Sequence, residues 1–332
     1  MKNFNLFLLP ILILFNSAFL FSQDATFKVT GISGVAFIEK ADKSLRVFRG
    51  SEIHSEYKLR TSSDSQAEIT IAKNGDKIGN ITVNENTILL VNPPIYKNAD
   101  KDGKISLSLL EGYIKVNIQK DIGNIVEIHT ANTSAIVRGT EFEVAFAENG
   151  SSIVLLSEGS VDIVTDDDEK ILSPKEAYIK TMDEESKIIK QNAESDPRVF
   201  LNRGEEISRA DSMSTIENLI NAMENISQEE VAYVSPLNNE AYNDKYINDM
   251  EMKRYRMLAA NEGYYNTIIK LINLEPEKKI EMTAYARKSL ALYGANQRAI
   301  NKMNSAIIKN REKFDKIRKD FDVKIGASVP NQ

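Results

Sequence analysis

Two different spacings of apolar residues divide the chain. From Phe27 to about Lys190, apolar and polar residues alternate in short runs rich in Val, Ile and Thr: GVAFIE, AEITIA, GNITV, ISLSL, YIKVNI, FEVAF, SIVLL and VDIV. Asn-Gly, Asp-Gly-Lys or Glu-Gly separates them. Period-two alternation buries one face of a pleated strand, and glycine between such runs turns the chain, so this part predicts an all-β domain. From about Asp196 the spacing becomes helical. Asp196-Pro197 sets a capping residue before a proline at the first helical position. Ser214 to Glu217 reads as a capping box, followed by a stripe of Ile216, Leu219, Ile220, Met223 and Ile226. Pro276 opens a further helix that persists to about Phe321. The predicted fold is α+β and segregated: an all-β sandwich or stack of β-hairpins, then a helical bundle or long helical hairpin. The boundary lies in KQNAESDP, residues 190–197, which gives units 24–193 and 194–332.

Within the β part, LLEGYIKVNI (109–118) and LLSEGSVDIV (155–164) both read as strand, Glu-Gly turn, strand. The pattern predicts two hairpins, Leu107–Ile118 and Ile153–Val164, because glycine supplies the positive φ of a tight reversal. A second interruption occurs in AIVRGTEFEVAF (135–146), where Arg138, Gly139 and Thr140 break an apolar run. Gly139 fits a bulge or turn that re-aims the strand, Thr140 a bond to the freed backbone, and Arg138 a pairing with a carboxylate such as Glu141 or Glu158.

The N-terminus adds a compartment. Lys2 is followed by an apolar stretch from about Leu6 to Phe21, then Ser22, Gln23 and Asp24. This reads as a secretory signal peptide, residues 1–23, with cleavage near Ser22 or Gln23, or else as a retained anchor. No later segment approaches membrane-spanning length, so a periplasmic or secreted protein is expected. The 332 residues are 42% hydrophobic, enough for a sizeable core, and contain no cysteine. That excludes disulfides, thiol nucleophiles and Cys-type metal sites.

GISGVAFIE, FRGSEIHSEYKLRTSSDSQAEITI, LLEGYIKVNI, HTANTSAIVRGTEFEV and VLLSEGSVDIV stand in the order and spacing of one known family, the FecR-type periplasmic domain, which residues of about 27–165 resemble. The most specific block runs from Thr130 to Phe142 and holds Arg138, Gly139, Thr140 and Phe142. The resemblance implies an all-β extracytoplasmic domain used in protein–protein contact, in the best-known members during iron–siderophore signalling. Those members carry a cytoplasmic anti-sigma segment and a membrane helix before the domain. Here the β pattern starts a few residues after the signal peptide, so neither is expected.

Catalytic motifs are sparse. The two histidines, His54 and His129, are far apart in sequence, and no Gly-x-Ser-x-Gly, His-Glu-x-x-His or Gly-Lys-Ser/Thr motif occurs. No catalytic residue and no cofactor is assigned. Asn98, Asp100, Asp102 and Gly103 match the first half of a calcium loop, but Leu109 stands where the bidentate carboxylate belongs, so a solvated turn is expected and not a metal site. Asp166 to Glu169 reads as a charged hairpin tip.

In the helical part, Met282, Ala286, Ser289, Tyr293, Asn296, Ile300, Met303, Ile307, Asn310, Phe314, Ile317 and Phe321 follow a heptad seam. It fits one helix of a bundle or a homo-oligomer formed through 282–321. Residues 205–251 carry eleven acidic against two basic side chains, 2 − 11 = −9, and residues 277–324 carry thirteen basic against six acidic, 13 − 6 = +7. Opposite fields favour mutual packing, and the net charge of −6 argues against nucleic acid. The expected function is a non-enzymatic interaction or scaffold protein of the cell envelope with envelope-protein partners. A carbohydrate-active envelope hydrolase and a ligand-sensing component acting through a separate membrane protein are the alternatives. A convergent carboxylate pair in a groove would favour the hydrolase, and an open edge strand the interaction module.

Overall fold

The computed structural model describes residues 25–40, 43–95, 104–120, 125–182, 184–234 and 244–326. The signal segment and the candidate loop of Asn98, Asp100 and Asp102 lie outside the described residues. The strands are β1 (Thr26–Ser33), β2 (Ala36–Lys40), β3 (Lys43–Arg46), β4 (Glu52–Ile53), β5 (Lys58–Thr61), β6 (Gln66–Lys73), β7 (Asp76–Val83) and β8 (Ile88–Val91). They continue as β9 (Lys104–Ile118), β10 (Ile125–His129), β11 (Ser134–Val137), β12 (Glu141–Phe146), β13 (Ser152–Glu158), β14 (Val161–Val164), β15 (Glu169–Leu172), β16 (Glu176–Lys180) and β17 (Lys187–Lys190). Every run picked out by alternation falls in one of these strands, save that GVAFIE begins two residues before β2.

They form two sheets that share β9. The first runs β4-β1-β6-β7-β9-β12-β13-β16-β17. The second runs β3-β2-β5-β8-β9-β10-β11-β14-β15, and only its β9–β10 pair is parallel. The N-terminal half of β9 pairs with β8 (Leu89 opposite Leu109) and the C-terminal half with β7 (Ile81 opposite Val116). The change of sheet occurs at Gly112, whose φ is +92°.

Leu107–Ile118 is therefore one strand passing from the second sheet to the first, and not a hairpin. Ile153–Val164 is not a hairpin either: β13 in the first sheet leads to β14 in the second through Gly159, also at φ +92°. The Glu-Gly repeat is real, but its element is a corner between sheets. Alternation and a positive-φ glycine serve a reversal and a corner equally, so pairing decides between them. True hairpins follow β9 alternately in the two sheets: β10–β11, β12–β13, β14–β15 and β16–β17.

The helices are α1 (Pro197–Ala210), α2 (Ser212–Val234), α3 (Asp244–Leu274) and α4 (Lys279–Gly326). Asp196 caps α1, its carboxylate accepting from the Arg198 and Val199 amides at 2.8 and 3.3 Å. The second cap differs from expectation. Asp211 meets the need of the orphan amides one turn before Ser214, accepting from the Ser214 N–H at 3.0 Å, so α2 begins earlier. Alpha-helices α2, α3 and α4 pack together, and α3 also lies against β9 and β10. The core is continuous across this contact: Leu59, Ile81, Leu107, Val116 and Phe142 belong to the same buried cluster as Ile220, Met223, Ile268 and Ile300. Each such side chain contributes about 1.5–3 kcal/mol when fully buried.

The heptad seam is used internally. Met282, Ser289, Asn296, Ile300, Met303, Ile307 and Asn310 are buried, while Ile317 is 55% exposed. Asn296 Nδ2 donates to the Met223 carbonyl at 3.0 Å and to Asn261 Oδ1 at 3.1 Å. Over 282–310 the seam is filled within the chain by α2 and α3. The oppositely charged segments do pack together, with Glu224–Lys288 at 2.8 Å and Glu251–Arg311 at 3.5 Å. On α3, Tyr255 and Tyr264 are buried and Tyr246 and Tyr265 half-buried, so they belong to the core. Among the described residues no helix is long and apolar enough to cross a membrane.

Candidate functional site

The Arg138–Thr140 interruption is a third corner. β11 ends in the second sheet and β12 begins in the first. Gly139 has φ +71°, and a Cβ there would stand 2.7 Å from Lys120 Cα. Thr140 is buried; its Oγ1 donates to the Ser160 carbonyl at 3.2 Å and its carbonyl accepts from the Ile118 amide at 2.9 Å. Phe142 is wholly buried. Arg138 does not take the carboxylate expected for it. It is exposed, and among the described residues it makes no ion pair. Glu141 pairs at 2.7 Å with Lys115, its diagonal neighbour across the β9–β12 ladder, which occupies the carboxylate from the strand side.

The largest polar assembly lies where α3 crosses the second sheet. Arg256 donates through Nη2 to Asp166 Oδ1 at 2.7 Å and through Nη1 to Ser134 Oγ at 3.0 Å, and Lys253 meets Asp166 Oδ2 at 2.6 Å. The Asp166–Glu169 tip is thus more than a solvated turn, because its first aspartate grips the helix. Burial pushes the Asp166 pKa up, but the charges of Arg256 and Lys253 outweigh it and hold the carboxyl below its usual range. Lys104 reaches Asn248 at 2.9 Å, Glu251 at 3.4 Å and Glu127 at 3.7 Å. Asn248, Glu251 and Tyr255 recur at helical spacing on one face, which brings them to the sheet together. His129 stacks on Tyr255 with ring centroids 5.0 Å apart.

Two arrangements here resemble catalytic ones. Ser134 Oγ lies 2.9 Å from His129 Nδ1, and His129 Nε2 lies 3.5 Å from Glu127 Oε2. The order is that of a nucleophile, base and orienting carboxylate. However, Ser134 and His129 are 0% and Glu127 3% exposed, and Arg256 occupies the serine oxygen, so no substrate reaches Ser134 in this conformation. His54 is elsewhere, exposed against Tyr57. The second arrangement is a cavity of about 220 Å³ between α1, α3 and the Gly112 corner, lined in part by Glu111, Glu148 and Glu205. Lys270 bonds Glu111 at 2.8 Å and Glu148 more closely still. Lys270 thus takes up both carboxylates, whereas a hydrolytic pair must be open to a substrate bond and a water. Among the described residues no group of three or more His, Asp or Glu is arranged to hold a metal ion.

The third feature is an open edge. β3 pairs only with β2 among the described residues, and Lys43, Ser44, Leu45 and Arg46 are all exposed. Leu45 is 65% and Phe48 62% exposed, with the Arg46 guanidinium 5.9 Å from the Phe48 ring centroid.

Little of this assembly was marked by alternation. The one sequence signal was basic residues set inside an apolar helical stretch, MEMKRYRMLAA, whose residues 250–260 are all buried. Charges in that setting require partners from another element.

A two-sheet sandwich of corner-crossing hairpins, with one face braced by helices, is the class of molecule these elements define. The family model described as FecR protein matches residues 57–162, from just before β5 into β14. The matched segment lies within the β part of this chain, with β1–β4 preceding it. Two crystal structures of a candidate anti-sigma factor from Parabacteroides distasonis, at 1.65 and 2.50 Å resolution, are similar at 19% and 18% identity with TM-scores of 0.35. Each match covers 41% of this chain and 61% of the other, short of two thirds of the neighbour's length. No curated protein matches the chain.

Proposed function

We propose that this protein is an exported, non-enzymatic interaction module of the cell envelope, in which the FecR-type sandwich recognises a partner protein and the helices brace the sandwich. Units 24–193 and 194–332 act together in this reading, because their shared core would be laid open by separating them. The observation that carries it is the β3 edge. A strand with free backbone groups and exposed Leu45 and Phe48 is a template for another strand, and folded proteins usually blunt such an edge unless a partner uses it. The FecR family match supports an envelope signalling or sensing context. The hydrolase alternative is weaker, since Lys270 bonds both Glu111 and Glu148 in the cavity beside the Gly112 corner.

The test uses the full chain, with a photo-crosslinking residue at position 44, expressed in its native envelope. A defined crosslinked partner should be lost in Leu45→Asp/Phe48→Asp and retained in Ile171→Asp, which alters another exposed edge residue. Equal loss in both variants, recovery of the intact chain from the cytoplasm, or hydrolysis of an envelope polymer by clean protein would refute the reading.

A further inference from the structure

Arg254 is a buried cation for which the described residues provide no counter-charge. It is 5% exposed, its Nε donates to Asn304 Oδ1 at 2.7 Å, and its Nη1 is buried with no hydrogen-bond partner. A neutral amide and the face of Tyr255, 4.9 Å from the guanidinium carbon, are its surroundings. Desolvation accordingly lowers its pKa. An unpaired buried charge costs far more than a surface one, and groups of this kind are found paired.

Arg254 lines a cavity of about 460 Å³ between β2, β5, the end of β8, α3 and α4. Leu90, Pro93, Leu258 and Tyr293 supply an apolar wall. The other charges of the cavity already cancel in pairs: Lys40 with Glu56 at 2.9 Å, Lys58 with Glu262 at 2.6 Å, and Glu39 with Arg60 at 2.9 Å. Glu262 also accepts from the Tyr293 hydroxyl and Gln297 Nε2. One positive charge remains, and it is the buried one.

We propose that this cavity binds a small organic monocarboxylate, its carboxylate on the Arg254 guanidinium and its apolar body against Leu258 and Tyr293. A guanidinium presents parallel donors that match a carboxylate. A single negative charge balances the single unpaired cation. A dianionic phosphate would instead face Glu39, Glu56 and Glu262 with a second charge that nothing neutralises. The volume lies in the range of small-molecule sites. The proposal stands apart from the β3 edge, and either can fail alone.

The test is calorimetric titration of the full chain with hexanoate, hexanamide and inorganic phosphate, with thermal unfolding as a second readout. Hexanoate should bind and raise the unfolding temperature, and hexanamide and phosphate should do neither. Arg254→Met should weaken hexanoate at least tenfold while unfolding no lower than the parent without ligand, because an uncompensated buried charge has been removed. Gln297→Glu, at a half-buried position, places a competing carboxylate in the cavity and should weaken hexanoate likewise should Arg254→Met fail to fold. Hexanoate that does not bind, that binds no better than hexanamide or phosphate, or that binds the folded variants as it binds the parent overturns the proposal.

Discussion

Replacing Gly112 by alanine tests whether the corner in β9 holds the two sheets in register. Two separable costs apply. The backbone sits at φ +92°, where a Cβ is disfavoured by about 1–2 kcal/mol. The new Cβ would also stand 2.3 Å from Thr87 Oγ1, 2.7 Å from Thr87 Cα and 2.8 Å from the Asn86 carbonyl. Thr87 is 0% exposed, and its hydroxyl accepts from the Tyr113 amide at 3.0 Å and donates to the Glu85 carbonyl at 3.0 Å. Displacing it orphans a backbone amide, costing about 1–3 kcal/mol, on top of roughly 1–3 kcal/mol for overpacking. Gly112→Ala should therefore destabilise by about 3–8 kcal/mol. Gly75→Ala is the control: φ is +89°, but nothing lies within 4 Å of its Cβ, so only the backbone cost of about 1–2 kcal/mol applies. Urea unfolding of both full-length variants, followed by circular dichroism, measures the difference. Equal midpoints would refute the corner argument.

Three further outcomes follow from the polar groups. Burial holds His129 below its ordinary 6.5 against the opposing pull of Glu127, so the unfolded chain takes the proton more readily and stability falls as pH drops through and below that value. Burial would raise Glu127, but the hydrogen bond and charge of His129, with Lys104, hold it below its ordinary 4.5, which adds loss in the same direction at lower pH. His129→Gln should flatten the stability curve over roughly pH 5–7, as read by thermal unfolding in a buffer series. Lys270→Met leaves Glu111 and Glu148 facing each other and should cost roughly 1–3 kcal/mol, less than the usual buried-pair range because Lys270 is 41% exposed. Adding Glu148→Gln should recover most of that loss in denaturant titrations. Arg138→Ala should stay within about 0.5 kcal/mol of the parent in the same assay, whereas Thr140→Val, which orphans the Ser160 carbonyl, should lose about 1 kcal/mol.

Period-two and helical spacing by themselves determined the α+β segregation, the placing of the strands, the Asp196 cap and the apolar seam of α4, because burial of one face imposes each pattern locally. The match of residues 57–162 to the FecR model was legible for a related reason: Gly139 and Gly159 occupy backbone that other residues enter at a cost, so the corners leave a glycine signature. Those glycines did not say which strand comes next. A hairpin and a change of sheet look alike in one chain segment, and only the pairing of β9 with four different strands separates them.

The tertiary structure alone decided the polar sites. Asp166 with Arg256, Lys104 with Glu251, and Glu111 and Glu148 with Lys270 join residues 85 or more positions apart, and spacing along a chain carries no record of such partners. Among the described residues, Arg138, which looked like one member of a pair, makes no ion pair at the surface side of its corner, while Arg254, unremarkable in sequence, is a buried cation left without a carboxylate. Desolvation is a property of the packed molecule, so the charges it makes costly appear only once α3 has been laid against the sheet.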